Sequence, residues 1–198
     1  MEYGPALVIG ISGLIVYMIY DTYYMGTLIP VTSTIDNNTY YVRDLPDSQA
    51  AADLIAQIRK HVETLIRHLE KIAQSDERTA NTVKNFNGDH FAEAPANNAN
   101  TSYSINKGEK IVLCLRSKDL EKKLVDLNTM MFVTLHEIAH LATNSIGHTD
   151  EFWTNFKWIL EESVNIGIYR HVDYATKPKE YCGMNIVSNP LDNKTKST

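Results

Sequence analysis

The chain has 198 residues, a formal net charge of −5 at pH 7 and a sequence pI near 5.8. A folded domain that binds nucleic acid broadly normally presents a basic face, so this acidic balance argues against that class of function. Beyond a candidate N-terminal anchor, about 150 residues remain, which suffices for one domain with its own hydrophobic core.

The N-terminal segment 3–20 contains no charged residue and is strongly apolar. A helix of about 20 residues spans the hydrocarbon core of a bilayer, and the tyrosines at one end of the segment resemble an interfacial aromatic belt. A cleaved signal peptide fits less well, because no basic residue precedes Arg43. We therefore expect an N-terminal transmembrane helix within residues 1–25 and a single-pass membrane protein. The alternative is a buried strand or core helix. No Lys or Arg flanks the segment closely enough to assign an orientation.

The next segments predict a connection followed by a long helix. Residues 26–46 are rich in Thr and Asn and indicate a stalk, a linker or a short hairpin. Between residues 47 and 72, apolar residues recur every three or four positions, which predicts an amphipathic helix. His61 and His68 flank its apolar stripe, where histidines are usually solvated rather than metal-bound.

A polar segment and an apolar one precede the most informative motif. Residues 85–100 predict an exposed loop, either a plain surface insertion or a lid over a site. Residues 111–115 are rich in Val and Leu and predict a buried strand. Cys114 lies in this strand, and Cys182 lies in a loop-like segment. The pair can form a disulfide, whereas zinc ligation is disfavoured because Cys-x-x-Cys spacing is absent. Two cysteines do not define a redox compartment.

The sequence His-Glu-Ile-Ala-His at residues 136–140 carries most of the chemical information in the chain. Apolar residues at helical spacing between residues 127 and 141 place it on a helix. His136 and His140 then lie on one helical face and can reach one metal ion, while Glu137 can point to the water side of that metal. This is the ligand-and-base arrangement of zinc peptidases.

A third ligand is needed to hold a catalytic zinc with water in its fourth position. Residues 144–147 indicate a helix stop and a turn, and His148, which follows at once, is our predicted third ligand. The alternative for His148 is an exposed turn histidine or a helix cap. Glu161 and Glu162, on the next predicted helix, are rival acidic ligands, at a spacing that another class of zincins uses.

The segment from His148 to Trp153, His-Thr-Asp-Glu-Phe-Trp, resembles the His-x-x-x-Phe-Trp that follows His-Glu-x-x-His in WLM and SprT-like metallopeptidases and their YgjP-like relatives. Residues 101–116 and 181–184 also look like a WLM-like group encoded by large DNA viruses. The resemblance implies an α+β, zincin-like metallopeptidase domain, here over residues 47–190. It also implies that His136, His140 and His148 bind zinc and that Glu137 is the general base.

The function that we expect is a membrane-anchored zinc metallopeptidase that hydrolyses peptide bonds in protein or peptide substrates. If the chain is viral, its membrane is that of the virion or of the host. The alternative is a catalytically inactive, zincin-like structural or docking protein of a membrane or virion. Glu137 favours hydrolysis, because a structural site needs ligands but no base. The acidic composition disfavours a DNA–protein crosslink protease.

The C-terminal part holds candidate donors for the oxyanion that forms during peptide hydrolysis. Four residues qualify, and no spacing rule selects among them: Tyr169, His171, Tyr174 and Tyr181. A helix is predicted from Asp150 and is broken at Gly167. The tail at residues 191–198 is expected to be disordered. The sequence sets no oligomeric state.

Overall fold

The structure, a computed structural model, describes residues 11–16, 28–96, 101–105 and 109–192. Most of the predicted anchor lies outside these ranges, as does the predicted tail from residue 193 onward. Residues 11–16 are helical with exposed side chains. Within the described ranges, no helix combines the length and apolar character needed to cross a membrane.

A mixed five-stranded sheet forms one layer of the fold, in the order β1-β2-β3-β5-β4. The three central strands, β2, β3 and β5, are mutually parallel, while β1 and β4 pair with them in antiparallel fashion at the two edges. The strands are β1 (Leu28–Thr32), β2 (Thr39–Arg43), β3 (Phe91–Glu93), β4 (Tyr103–Ile105) and β5 (Lys110–Leu113).

Four helices and a small hairpin complete the domain. The elements are α1 (Ser48–Ile72), α2 (Glu77–Asn85), α3 (Leu127–Ala142), α4 (Asp150–Asn165), β6 (Lys179–Tyr181) and β7 (Met184–Ile186). Asp76, Asp126 and Thr149 cap the N-termini of α2, α3 and α4, each accepting a backbone N–H with its side chain. The α+β class expected from the resemblance is confirmed.

The hydrophobic core lies between the sheet and the helices. The predicted apolar stripe of α1 is buried, including Ile58, Val62 and Leu65, which are fully inaccessible. Helix α3 packs against α1, α2 and α4. Because neighbours cover α3 on several sides, most of its side chains are buried, and the face carrying Val133 and the two motif histidines is among its few partly exposed parts.

Two segments expected to be irregular contribute to the sheet. Within residues 26–46, the hairpin alternative matches the structure, and its strands β1 and β2 extend the sheet, so this segment is not a free stalk. Residues 85–100 are not a continuous loop, because β3 lies within them as a central strand with parallel neighbours on both sides. Strand β3 spans only three residues, which is too short for hydrophobic periodicity to distinguish it from a loop.

A disulfide between Cys114 and Cys182 connects the end of β5 to the β6–β7 hairpin. Cys182 and Gly183 form the hairpin turn with φ values of 51° and 80°. Positive φ at both central residues matches the type I′ turn, whose twist suits two-residue hairpins. The disulfide therefore holds the turn of a hairpin in a segment that the sequence predicts to be a loop.

Candidate metal centre

Helix α3 carries both histidines of the motif on one face. Its first turn is fixed by Asp126, whose carboxylate accepts the Thr129 N–H at 3.0 Å. Residues one turn apart lie above each other on a helix, and the imidazole centroids of His136 and His140 are 5.0 Å apart. Both rings are partly exposed on a mostly buried helix, so they can reach a ligand in front of this face.

The turn after α3 returns His148 to this pair. Gly147 has a φ of 84°, a conformation that side chains disfavour. The Glu151 carboxylate accepts the backbone N–H groups of Asn144 and Ser145 at 2.9 and 3.1 Å. These contacts close the turn, and Nε2 of His148 lies 2.9 Å from Nε2 of His136.

The three imidazoles form a nearly equilateral triangle, with centroid separations of 5.0, 4.9 and 5.0 Å. One potential ligand atom from each of His136, His140 and His148 lies within 4.8 Å of the others. Nitrogens bound to one tetrahedral zinc at its usual bond length are about 3.3 Å apart. The donor set and its spacing therefore fit a zinc ion with little rearrangement.

Aromatic rings of α4 support the histidines. The Phe152 ring stacks on His140 at 4.3 Å and meets His136 and His148 at 4.8 and 4.7 Å. Phe156 adds an edge contact to His136 at 5.2 Å. Both phenylalanines are buried, so their positions are set by core packing. Phe152, which belongs to the Phe-Trp pair that the chain shares with WLM proteins, thus supports the three histidines.

Burial also controls the ionisation of the motif. Burial, reinforced by the neighbouring His140 and His148, lowers the pKa of His136 to about 3. Its ring is therefore neutral at pH 7, as a metal ligand must be. Burial raises the pKa of Glu137 to about 7, although hydrogen bonds from the Ser104 side chain and backbone N–H act in the opposite direction. A carboxyl with a pKa near the working pH suits general base catalysis.

These groups open into a cleft of about 660 Å³. The cleft is lined by α3, by residues 101–104 in and before β4, by the turn before α4, and by the β6–β7 hairpin with the residues that follow it. Glu137 therefore lies between a helix, a sheet edge and a hairpin. Sequence reasoning missed Ser104 as a partner of Glu137, because nothing in the local pattern reports a contact between a strand and a distant helix.

The rival ligands lie elsewhere. Glu162 is paired with His68, with Oε2 and Nε2 2.8 Å apart, and Glu161 is exposed on α4 beside Lys157. Neither joins the histidine triangle. His61 is half buried on α1, and burial lowers its pKa, so the expectation that His61 and His68 are simply solvated does not hold.

Of the four candidate oxyanion donors, Tyr181 alone lines the described part of the cleft. Its hydroxyl is hydrogen-bonded to Ser102 Oγ, which also accepts the Cys114 N–H. Tyr169 and Tyr174 are buried against Phe132 outside the cleft, and His171 pairs with Asp192 on the surface.

The strand predicted at residues 111–115 is buried but is not a sheet edge. β5 has β3 on one side and β4 on the other, so its edges cannot pair with a substrate. The edge strand is β4, which pairs only with β5 in the part of the chain that the structure describes. The backbone N–H of Ser104 in β4 donates to Glu137, so the free edge of β4 faces the cleft.

The chain matches a known domain family and has relatives among viral proteins. The family model of the WLM domain matches residues 34–196. An uncharacterised protein of Acanthamoeba polyphaga mimivirus is 33% identical over 184 residues, which cover 90% of this chain and 91% of the relative. An uncharacterised protein of Invertebrate iridescent virus 6 is 38% identical over 95 residues, covering 46% of this chain and 51% of the relative.

Among solved structures, Wss1 from Saccharomyces cerevisiae is similar, with a TM-score of 0.49 and 22% identity, covering 63% of this chain and 86% of that one. The resemblance to WLM proteins, including those of large DNA viruses, is confirmed by the family match and the viral relatives. The chain therefore belongs to the WLM family of metallopeptidase-like domains.

Proposed function

We propose that this protein is a zinc-dependent metallopeptidase that hydrolyses peptide bonds. The observation that supports it most is the convergence of His136, His140 and His148 beside a buried carboxylate, Glu137, inside a cleft bordered by a sheet edge. In this proposal the histidines are the zinc ligands and Glu137 is the general base.

Each protein group has a distinct task in the reaction. When bound, zinc lowers the pKa of a coordinated water to near 7 and polarises a carbonyl. Glu137 accepts a proton from the attacking water and returns it to the leaving amine. Ser104 orients the Glu137 carboxyl through two hydrogen bonds, one from its hydroxyl and one from its backbone N–H.

Tyr181 is the proposed oxyanion donor. Burial, and to a lesser degree the nearby Glu137, raises the pKa of Tyr181 despite the hydrogen bond to Ser102, so the phenol keeps its hydrogen. Because Ser102 Oγ already accepts the Cys114 N–H, it can donate to Tyr181 and leave the phenol hydrogen for a substrate oxygen. A positioned donor of this kind stabilises the negative charge that develops on the carbonyl oxygen.

The substrate backbone would be held in an extended form. An extended peptide can lie along the outer edge of β4, where the main-chain groups that Glu137 does not use supply affinity without demanding a particular side chain. This would align the peptide with Glu137, because Ser104 in the same strand already contacts that carboxyl.

The alternative is a zincin-like docking or structural protein without activity. It requires the ligands but has no use for Glu137, which is only 6% exposed. Burying a carboxyl group lowers the stability of the fold unless the group is paired. Its position beside the ligands therefore favours hydrolysis, which uses this group.

Membrane attachment is a separate part of the proposal. Residues 11–16 are helical and leave Ile11, Leu14, Ile15 and Val16 exposed, and the apolar sequence extends to both sides of them. If the whole apolar segment 3–20 were helical, it would be close to the length that spans a bilayer and would serve as a single-pass anchor. Flotation of the full-length protein with liposomes tests this: the parent should float, and the Leu14→Asp/Ile15→Asp variant should not. A parent that stays at the bottom of the gradient would rule the anchor out.

The first experiment on the enzyme is metal stoichiometry, followed by peptide hydrolysis. Elemental analysis should find about one zinc per chain in the parent and in Glu137→Gln, and much less in His140→Ala and His148→Ala. Only the parent should cleave a mixed peptide library. Zinc binding by the parent without cleavage of any library member would favour the docking alternative. A folded parent without zinc would contradict the peptidase and leave an inactive, zincin-like structural protein.

A further inference from the structure

The side chains around the cleft indicate which substrates it accepts. Four large apolar residues line the cleft and are exposed to solvent. Their exposed fractions are 90% for Ile146, 46% for Trp153, 51% for Met184 and 57% for Val187. We call these four residues the apolar rim. Exposed hydrophobic residues are unremarkable when scattered singly, but a cluster beside a binding site indicates what that site contacts.

The apolar rim is assembled from separate parts of the chain. Ile146 belongs to the turn before His148, and Trp153 lies in the first turns of α4. Met184 and Val187 come from the β6–β7 hairpin and the residue after β7. The Cys114–Cys182 disulfide holds this hairpin at its turn. Two segments that are distant in sequence thus bring apolar side chains to the same cleft.

The near absence of charged side chains in the cleft also favours uncharged substrates. Apart from the histidines, Glu137 is the one charged side chain among the described residues that line it, although 22% of the chain consists of Asp, Glu, Lys and Arg. A lysine, arginine or acidic side chain of a substrate would find no partner of opposite sign on the rim. Burying a charged side chain without a partner is strongly unfavourable, whereas burying an apolar side chain is favourable.

The apolar character continues below the rim. Phe132 and Val133 precede His136 by one helical turn on α3, and they line the cleft together with Phe156 and Ile186. A side chain that enters beside the histidines therefore meets aromatic and aliphatic surface. Pockets with apolar walls and a few polar groups are typical of ligand-binding sites that select by burial.

We infer that the substrate is an extended peptide segment with bulky, uncharged side chains next to the scissile bond, which the apolar rim and the wall below it bury. This inference rests on the proposed peptidase function and names its substrate class. Burial of one large apolar side chain favours binding by about tenfold or more.

The test uses the zinc-loaded, full-length protein in nanodiscs, since free detergent would compete for an apolar cleft. Three internally quenched peptides of equal length are compared. The apolar peptide has Leu and Phe on the two sides of the scissile bond, and the two charged peptides have Lys or Glu at the same positions. We expect kcat/KM to be at least tenfold higher for the apolar peptide. Equal rates for all of them would overturn the inference.

Substitutions at the rim provide the second readout. Met184→Lys and Val187→Lys should lower kcat/KM for the apolar peptide about tenfold, mainly through KM, and should raise it for the Glu-containing peptide. Leu120→Lys is the matched control, because Leu120 is 99% exposed and does not line the cleft. The inference would be wrong if the rim variants behaved like this control.

Failure of the inference is distinguishable from failure of the proposed function. The inactive Glu137→Gln variant separates binding from hydrolysis: fluorescence anisotropy should show tighter binding of the labelled apolar peptide than of the charged ones. A zinc-loaded parent that cleaves no peptide contradicts the proposed function. A parent that cleaves peptides without preferring apolar ones leaves the peptidase standing and contradicts the substrate class alone.

Discussion

The Phe152 ring lies against the His140 imidazole, with centroids 4.3 Å apart and an interplanar angle of 30°. Phe152 is fully buried, and it also contacts the other two histidines of the triangle. Phe152 on α4 is held in place by core packing. It therefore orients the three histidines, which come from α3 and from the turn that follows it.

Replacing Phe152 should weaken metal binding without removing a ligand. Phe152→Leu keeps an apolar side chain but loses the flat surface under the three rings, and we expect zinc affinity to fall about 10- to 100-fold. Competition with a chromophoric chelator measures this. Phe91→Leu is the control, since Phe91 is equally buried but packs in β3 against Phe86; it should lose stability and keep its zinc affinity.

Loss of the Tyr181 hydroxyl should affect the chemical step more than substrate binding. For Tyr181→Phe we expect kcat to fall about 100-fold with little change in KM, because the donor is needed mainly when the oxyanion forms. Steady-state kinetics at saturating zinc measure the two constants. Tyr169→Phe removes a buried hydroxyl that is bonded to Asn189 outside the cleft, and it should leave kcat unchanged. Equal effects of the two variants on kcat would contradict the assigned role.

The disulfide should stabilise the domain and the hairpin wall of the cleft. It closes a sequence separation of 68 residues, for which we expect a loss of about 2–4 kcal/mol in the free energy of unfolding when it is absent. Urea denaturation of Cys114→Ala/Cys182→Ala against the parent measures the loss. Reductant should destabilise the parent and not the double variant; a parent insensitive to reductant would argue against the bond.

Acid should weaken a partly buried ion-pair network next to the disulfide. The Arg116 guanidinium, 2% exposed, donates to Glu93 at 2.8 Å and to Asp47 at 2.6 Å. The hydrogen bond from Arg116 lowers the pKa of Asp47 below its ordinary value of 3.8. A carboxyl with a depressed folded-state pKa contributes stability above its unfolded pKa, and this contribution is lost as the pH falls through the folded-state pKa.

The corresponding variant is Asp47→Asn. The difference in unfolding free energy between parent and variant should be constant above about pH 5 and should shrink as the pH falls below about 4. Urea titrations at a series of pH values measure it. Asp44→Asn alters an exposed carboxylate in the same segment and should not reproduce the pH dependence. A parent–variant difference that does not shrink at all between pH 5 and pH 2 would contradict the coupling to Arg116.

Local patterns accounted for helices α1, α3 and α4 and for the core of the site, whereas α2 was not predicted. The amphipathic period of α1, the start of α4 at Asp150 and the i, i+4 histidines are properties of a few successive turns, and each is found in the structure. The turn that returns His148 was also predictable, since Gly147 marks it in the sequence. Short strands were not predictable in this way: β3, β6 and β7 have three residues each.

The sequence by itself determined the arrangement of His136, Glu137 and His140, because residues within five successive positions come together as soon as one helix forms. The tertiary structure decided which distant residues join them. Of the four candidate oxyanion donors it placed only Tyr181 at the described part of the cleft, and it made Ser104 a partner of Glu137. It also separated Glu162 from the site by pairing it with His68. Such contacts depend on how the sheet edge, the hairpin and the helices pack against one another, and a local pattern does not encode that packing.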